Sequence, residues 1–409
     1  MKILYFHQHF TTPTLGGGTR SYEFARRLID KGHHVTMVCG DRGDLGIPED
    51  TIKNRRRGEV DGIEVIQIEV PYSNHFGLVK RTIAFLKFAY AGIKIAMKED
   101  YDLLFATSTP LTAGIPGIFA KWFRRTPFKF VFEVRDLWPD LPRALGVKNP
   151  ILLRGMSILE KTTYRKSDAC IGLSPGICEG IRERAPKDHP VKLIPNGSDL
   201  DLFQRNPDDT FSIDGVDKND VVAIFTGAHG IANGLDAVLD MAKVLQDREI
   251  DHVKIVLVGS GKMKPHLLER KENENINNCI FLDRVSKFEL NRIMNRADIG
   301  LMVLKNVPAF YYGTSPNKFF DYISASLPIV NNYPGWLADL IRDNQCGLAV
   351  EPDDPAAFAD AVLTLADDPE GRIEMGRNAR KLAEKEFARE KLAGRLVEFL
   401  EEVAGESDE

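Results

Sequence analysis

One local pattern occurs twice in this chain and leaves few folds open to it: an apolar strand, a glycine-bearing loop, a helix, then a second apolar strand. The first copy opens the sequence. Ile3-Leu4-Tyr5-Phe6 reads as a strand, and "LGGG" at 15–18 closes a polar loop. A helix runs from about Thr19 to Lys31 with Phe24, Leu28 and Ile29 inward, and Gly32 stops it before a strand at 35–39. The second copy is "VVAIFTGAHGIANGLDAVLDMAKVL" from 221, followed by "KIVLVGSG". Further strands at 62–69, 103–106, 129–133 and 169–173 alternate with helices, which argues for a parallel sheet covered on both faces. Residues 205–220 are polar and turn-rich and read as a linker. The expected fold class is α/β: two doubly wound, Rossmann-like domains facing each other across a cleft. The expected boundaries are 1–200 and 215–385, with a helical tail over 386–409.

Composition narrows the setting. No run of about 18 apolar residues occurs, so no transmembrane helix is expected. Residues 1–10 form a strand-like run, not a cleaved signal peptide. The five cysteines are scattered without a C-x-x-C and read as free thiols in a reducing cytoplasm. Charge is uneven. Residues 1–200 hold 30 Lys+Arg and 22 Asp+Glu, a net of +8, against −13 for the remainder. A basic first half suggests an anionic surface or partner; chance is the alternative.

Gly16-Gly17-Gly18 at a helix N-terminus could let a phosphate reach unpaired N–H groups, or could simply form a tight turn. A dinucleotide fingerprint does not fit: about nine residues separate Phe6 from Gly16, although Asp41 could mimic the ribose acid. Gly227, His229, Gly230 and Gly234 follow the next strand directly, and Gly259 ends a third. The most informative stretch is "YYGTSPNKFFDYISASLPIVNNYPG" at 311–335. Ser315 suits a helix N-cap and Pro316 the first helical position. Thr314, Ser315 and Asn317 can donate to an anion, Lys318 adds charge, and Asp321 lies one turn on, placed for ribose hydroxyls. A capped helix with a solvated Lys–Asp pair is the plain alternative.

These stretches, with "FEVRDLWPD" (132–140), "LIPNGSDLDLF" (193–203), "VLVGSGKMKPHL" (256–267) and "ADIGLMVL" (297–304), make the chain resemble the retaining GT-B glycosyltransferases of family four over nearly its whole length. Among them it looks most like O-antigen and capsule transferases of the WbuB type, thought to add N-acetylfucosamine. The resemblance implies a nucleotide-sugar donor, uridine by likeness, held by the second domain, and an acceptor held by the first. It also implies a last helix that crosses back. Asp321 matches the second Glu of the family's E-x7-E pair; the first falls at Gly313. The family's Arg and Lys of the second glycine loop fall at Ala228 and Asn233, and its first-domain His-Asp at Arg135-Asp136. Diphosphate neutralisation must then come from Lys318, Arg284, Arg135 and helix N-termini, with Gly17, Gly18, Gly227, His229 and Gly259 lining the donor site. Lys318, Asp321, Arg135 and Asp136 are the candidate catalytic residues. No cofactor is implied and a metal is not required; the nucleotide sugar is a substrate. A nucleotide-sugar epimerase and a non-catalytic binding subunit remain as alternatives.

Asp199-Leu200-Asp201 is a D-x-D by letter and reads as a turn with an exposed acid. His7 and His9 alternate toward the cleft, whereas His33 and His34 read as surface residues. Residues 78–98 place Lys80, Lys87, Lys94 and Lys98 within about 40° on a helical wheel. Ile83, Leu86, Tyr90, Ile93 and Met97 are expected opposite, and Phe88 and Ile95 beside the lysines. Together with "KNRRRG" (53–58) this suits peripheral contact with an anionic membrane. The alternative is a core helix with a solvated face. A saccharide acceptor linked to undecaprenyl diphosphate, at the inner face of the cell membrane, would explain such a contact. No nucleic-acid motif accompanies the basic residues.

Overall fold

The computed structural model describes residues 1–13, 15, 18–41, 43–47, 55–72, 76–206 and 211–405. They form two compact units. Residues 1–195, 313–315 and 390–409 make up the first; 196–312 and 316–389 make up the second.

The first unit is built on an eight-stranded sheet. In chain order its strands are β1 (Lys2–Phe6), β2 (His34–Asp41), β3 (Arg55–Val60), β4 (Ile63–Pro71), β5 (Leu103–Thr107), β6 (Lys129–Val134), β7 (Ala169–Gly172) and β8 (Val191–Leu193). They are ordered β3-β4-β2-β1-β5-β6-β7-β8, and only the edge strand β3 is antiparallel. In the central strands β1, β5, β6 and β7 successive side chains alternate between two buried faces, so these strands are almost wholly apolar. Ile3 and Tyr5 pack into a layer with Phe24 and Leu28 of the Arg20–Asp30 helix and with Leu392, Leu396 and Leu400 of the final Arg389–Ala404 helix. Leu4 and Phe6 pack on the other side with Phe88, Ala120 and Tyr164, from the Leu78–Lys98, Ile115–Phe123 and Pro150–Lys166 helices.

The second unit carries a six-stranded, fully parallel sheet. Its strands are β9 (Val221–Thr226), β10 (Val253–Val258), β11 (Cys279–Leu282), β12 (Ile299–Met302), β13 (Ile329–Asn331) and β14 (Gly347–Ala349), ordered β11-β10-β9-β12-β13-β14. The order in which strands are added reverses between β1 and β5 in one sheet and between β9 and β12 in the other. Ligands of such sheets bind at the carboxyl ends beside these reversals, and the loop that begins at Gly227 leaves β9 at one of them.

Several expectations are corrected. Of residues 53–58, Lys53 and Asn54 lie outside the described residues, while Arg55–Val60 is β3, with Arg56 paired to Glu69, and Arg57 to Glu64 and Glu99. Charged side chains on an edge strand keep it from pairing with another chain. Residues 205–220 are not a simple linker, because Ile213 is buried and Arg292 lies over the Phe211 ring. The tail is not one helix. It breaks at Ala388, which bridges Ser198, after a wider turn at Ala383–Phe387. His33 is buried, bonded to the N-terminal amine and to Glu401 at 2.8 Å, while His34 is exposed. All five cysteines are buried and unbridged.

The carboxyl edge of the first sheet is locked by one ion pair. Arg20, 2% exposed, donates through Nε and Nη2 to Glu133 at 2.9 and 2.8 Å, and to the carbonyls of Ile194 and Pro195. Glu133 also accepts from Thr107 Oγ1 at 2.6 Å. Burial works to raise the Glu133 carboxyl, but Arg20 and Arg135 overcome it and hold the group below its usual range. Arg20→Met should therefore destabilise the chain by about 3–5 kcal/mol in urea unfolding, because it strands a buried carboxylate. Adding Glu133→Gln to it should restore part of that loss.

Candidate active site

In the second unit the site is assembled around the loop after β9. Gly227 has φ of +138°, a conformation open to glycine and strained for other residues. The next two glycine positions are set by close approach. A Cβ on Gly259 would lie 1.9 Å from the Gly227 carbonyl oxygen, and one on Gly261 would lie 2.5 Å from that of His229. Close backbone packing alone thus requires Gly259, whatever ligand it meets.

Beneath this loop runs the Asn317–Ser324 helix. Pro316 is its N-cap and no side chain caps it, so the expected Ser315 cap is not formed. Gly313, Thr314 and Ser315 belong with the first unit. Tyr322 ties the helix to β9: its hydroxyl accepts from Thr226 N at 2.8 Å and reaches the Ile224 carbonyl at 3.2 Å. Nothing in the sequence pattern singled Tyr322 out, since an inward aromatic one turn along looks like ordinary core.

Lys318 projects from this helix against the loop. Its Nζ donates to Asn233 Oδ1 at 3.0 Å and sits 4.1 Å from the centre of the Phe225 ring. Asn233 in turn donates to the Ala228 carbonyl at 2.6 Å. No carboxylate pairs with Lys318 among the described residues. Burial pushes its ammonium down to about 7. The alternative of a solvated Lys–Asp pair is therefore not formed: Lys318 faces the glycine loop, and Asp321 faces a different group of charges.

His229 is fully buried between Phe225 and Phe281, and neither ring nitrogen has a hydrogen-bond partner. Burial, with Lys264 and Lys318 nearby, pushes the imidazole down to about 4, so it is neutral. Lys264 itself is spent on the carbonyls of Gly259 and Leu282 and on Asp283, holding the ends of β10 and β11 together.

Asp321 is 6% exposed, and its Oδ1 has no partner. Burial raises its carboxyl to about 6; Lys287 and Arg389 oppose that shift and Asp199 adds to it. Asp199 is not the exposed acid of a turn. It is ion-paired to both Lys287, at 2.5 Å, and Arg389, and is held below its usual range. Among the described residues no cluster of three His, Cys, Asp or Glu could hold a metal ion. Arg284 is exposed on the loop after β11, and Asn317 is half-buried. A cavity of about 500 Å³ opens beside Gly230, Asp240, Lys305 and Asp353, and excludes Lys318, His229 and Asp321.

In the first unit, Gly16 and Gly17 lie outside the described residues, while Gly18 is half-buried ahead of the Arg20–Asp30 helix. The carboxyl ends of β1 and β6 bring His7 and Arg135 together, Nε2 to Nη1 at 3.5 Å. Asp136 accepts from Thr109 Oγ1 at 2.9 Å, and burial raises its carboxyl. His9 packs against Tyr72, the ring centres 4.7 Å apart and the planes tilted by 49°. On the Leu78–Lys98 helix, the expected arrangement is corrected. Phe88 and Ile95 point into the core, whereas Val79, Ile83, Leu86, Tyr90 and Met97 are exposed in a stripe beside the lysines, not opposite them. Among the described residues no helix is long and apolar enough to cross a membrane.

Known families match this architecture. Residues 16–197 match the glycosyl transferase 4-like domain, and residues 220–368 match the glycosyl transferases group 1 domain. The chain belongs to the GT-B glycosyltransferases of family four. It is 26% identical to a D-inositol 3-phosphate glycosyltransferase of Corynebacterium urealyticum over 90% of this chain and 89% of the relative. The like-named protein of Corynebacterium glutamicum aligns over 46% of each chain at the same identity. Among solved structures, sucrose-phosphate synthase from Thermosynechococcus elongatus superposes with a TM-score of 0.77 at 18% identity, covering 99% of this chain and all of that one. Anabaena HepE in complex with UDP-glucose gives 0.70 at 17% identity, covering 98% of this chain and all of that one.

In this glycosyltransferase the raised Asp321 carboxyl carries a stability signature. A carboxyl raised when folded binds more protons than the unfolded chain, so its contribution falls as pH rises from about 4 to 6. Asp321→Asn should remove that decline and raise stability at pH 7, by on the order of 2 kcal/mol. Thermal unfolding of both forms across that range checks it.

Proposed function

We propose that this transferase moves a sugar from a UDP-linked donor to a lipid-linked saccharide, with the second unit holding the donor and the first taking the acceptor. The observation that carries the reading is Lys318: a half-buried cation without a carboxylate, pressed on a glycine loop at the strand reversal where such sheets bind ligands. A diphosphate is the counter-ion that would satisfy it. Asp321, with an unpartnered oxygen, would accept from ribose hydroxyls. HepE with UDP-glucose, and the trehalose-6-phosphate protein of E. coli with UDP-2-fluoro glucose, support uridine as the base.

In the transfer, the anomeric C–O bond to the diphosphate breaks as the bond to the acceptor hydroxyl forms. Negative charge grows on the leaving diphosphate, where Lys318 and backbone N–H groups of the glycine loop stabilise it most. The acceptor proton passes to the leaving phosphate. Retention by front-face attack follows the family pattern, and no second carboxylate is needed. Arg135 and Asp136 would line the sugar or acceptor side. An N-acetylated deoxyhexosamine, in bacterial surface polysaccharide synthesis, is the donor sugar that the sequence likeness favours. The lysines of the Leu78–Lys98 helix would meet the anionic membrane that carries the acceptor.

Thermal shift with UDP-, GDP- and dTDP-sugars tests the donor site. UDP compounds should stabilise the wild type by mass action, and both Lys318→Ala and Asp321→Ala should abolish the shift. No shift with any nucleotide would overturn the reading. Donor affinity should also fall as pH rises through about 7, because Lys318 loses its charge there. Calorimetry in buffers of different ionisation enthalpy should register proton uptake on binding at pH 7 and above, and Lys318→Arg should remove it.

A further inference from the structure

The Leu78–Lys98, Ile115–Phe123 and Pro150–Lys166 helices lie side by side over one face of the first sheet, so their outer surfaces form one layer. Of the sixteen large apolar side chains exposed among the described residues, nine stand on these three helices. Trp122 is 50% and Phe123 64% exposed at the end of the middle helix, and Ile151 and Ile158 are 83% and 58% exposed on the third. Isolated exposed apolar residues are ordinary, but a contiguous group on adjacent helices marks a contact surface.

The charge on the same helices says what covers it. They carry ten lysines and arginines and one acid, Glu160, which is fully buried. Lys94 lies 4.1 Å over the Tyr90 ring and Lys166 6.0 Å over the Trp122 ring, so cations and apolar rings share one surface. Long basic side chains of this kind lay their stems along apolar surface and keep their charge in a polar zone. Eight of the ten cations are exposed, so a second copy of this face would set eight against eight with no exposed acid from these helices between them. An anionic bilayer offers both phases at once: headgroups for the lysines, and acyl chains for the rings.

We infer that this three-helix face docks on an anionic bilayer with Trp122 and Phe123 inserted below the headgroups. The inference rests on the reading of the Leu78–Lys98 helix as membrane-facing and adds an apolar anchor outside that helix. The anchor gives binding a component that salt does not screen.

Full-length protein is mixed with phosphatidylglycerol vesicles, with and without brominated acyl chains, at low and high salt. Brominated lipid should quench the fluorescence, and Trp122→Phe should remove most of that quenching. The double variant Trp122→Ser/Phe123→Ser should bind at least about 10-fold more weakly at both salt concentrations, because it removes the apolar burial. Lys80→Glu/Lys87→Glu/Lys94→Glu should lose chiefly the salt-sensitive part. Unchanged melting temperature and unchanged nucleotide-sugar stabilisation show that each variant is folded. Vesicle binding without Trp122 quenching, and with the serine variant binding normally, overturns the anchor but leaves the lysine contact standing. No vesicle binding by the wild type overturns both. Self-association in sedimentation, abolished by the serine variant, would assign the face to a second copy and overturn the inference as well.

Discussion

Arg20 and Glu133 hold the first unit's functional edge in one arrangement. No side chain caps the start of the Arg20–Asp30 helix, and a buried guanidinium does not tolerate drift. By binding Glu133 on β6 and the carbonyls of residues 194 and 195, Arg20 fixes the start of its helix against two distant stretches of chain. Thr107 joins β5 to the same carboxylate. The pair is not an efficient source of stability, since an apolar replacement of similar volume often serves as well. What it supplies is placement: Arg135, Asp136 and Thr109 follow the ends of β6 and β5, which it braces.

The second unit holds polar groups of the opposite kind. Lys318 lacks a carboxylate, His229 has two unpartnered ring nitrogens, and Asp321 has an oxygen with nothing to accept. Buried polar atoms are nearly always satisfied in folded proteins, so each of these works against stability. They gather on one helix and one loop at the strand reversal, where a donor would supply what they lack. Stabilising substitutions at such positions commonly come at the expense of activity. The surrounding residues do the structural work instead, with Tyr322 anchoring the helix to β9, Lys264 joining two strand ends, and Asp199 tying Lys287 to Arg389.

The surfaces differ as the charge balance of the two chain halves implies. The basic excess of the first half is concentrated on one layer of three helices that also carries its exposed rings. The acids of that half sit elsewhere, paired with Arg57, Lys2 and Arg184. This division gives a flat layer of helices two chemistries on one side, which a single amphipathic helix provides only along a narrow stripe.

Much of this was legible in the sequence. Strand and helix periods, glycine positions and the polar breaks define two doubly wound sheets, because a parallel sheet buried on both faces needs continuous apolar strands. The helix carrying Lys318 and Asp321 was legible for the same reason. Sequence also separated Lys318 and Asp321 by one turn, which left a solvated ion pair open as the alternative to two separate roles. Only packing showed that they face different neighbours, because three residues on a helix are also enough to divide two side chains between a loop and a charge network. Asp199 and His33 read as surface residues since polar side chains usually are; their partners, Lys287, Arg389 and Glu401, are remote in the chain. The Leu78–Lys98 helix was assigned its lysine stripe correctly and its buried face wrongly. Hydrophobic periodicity reveals that a helix has two apolar sides, and only the sheet beneath it decides which one is covered.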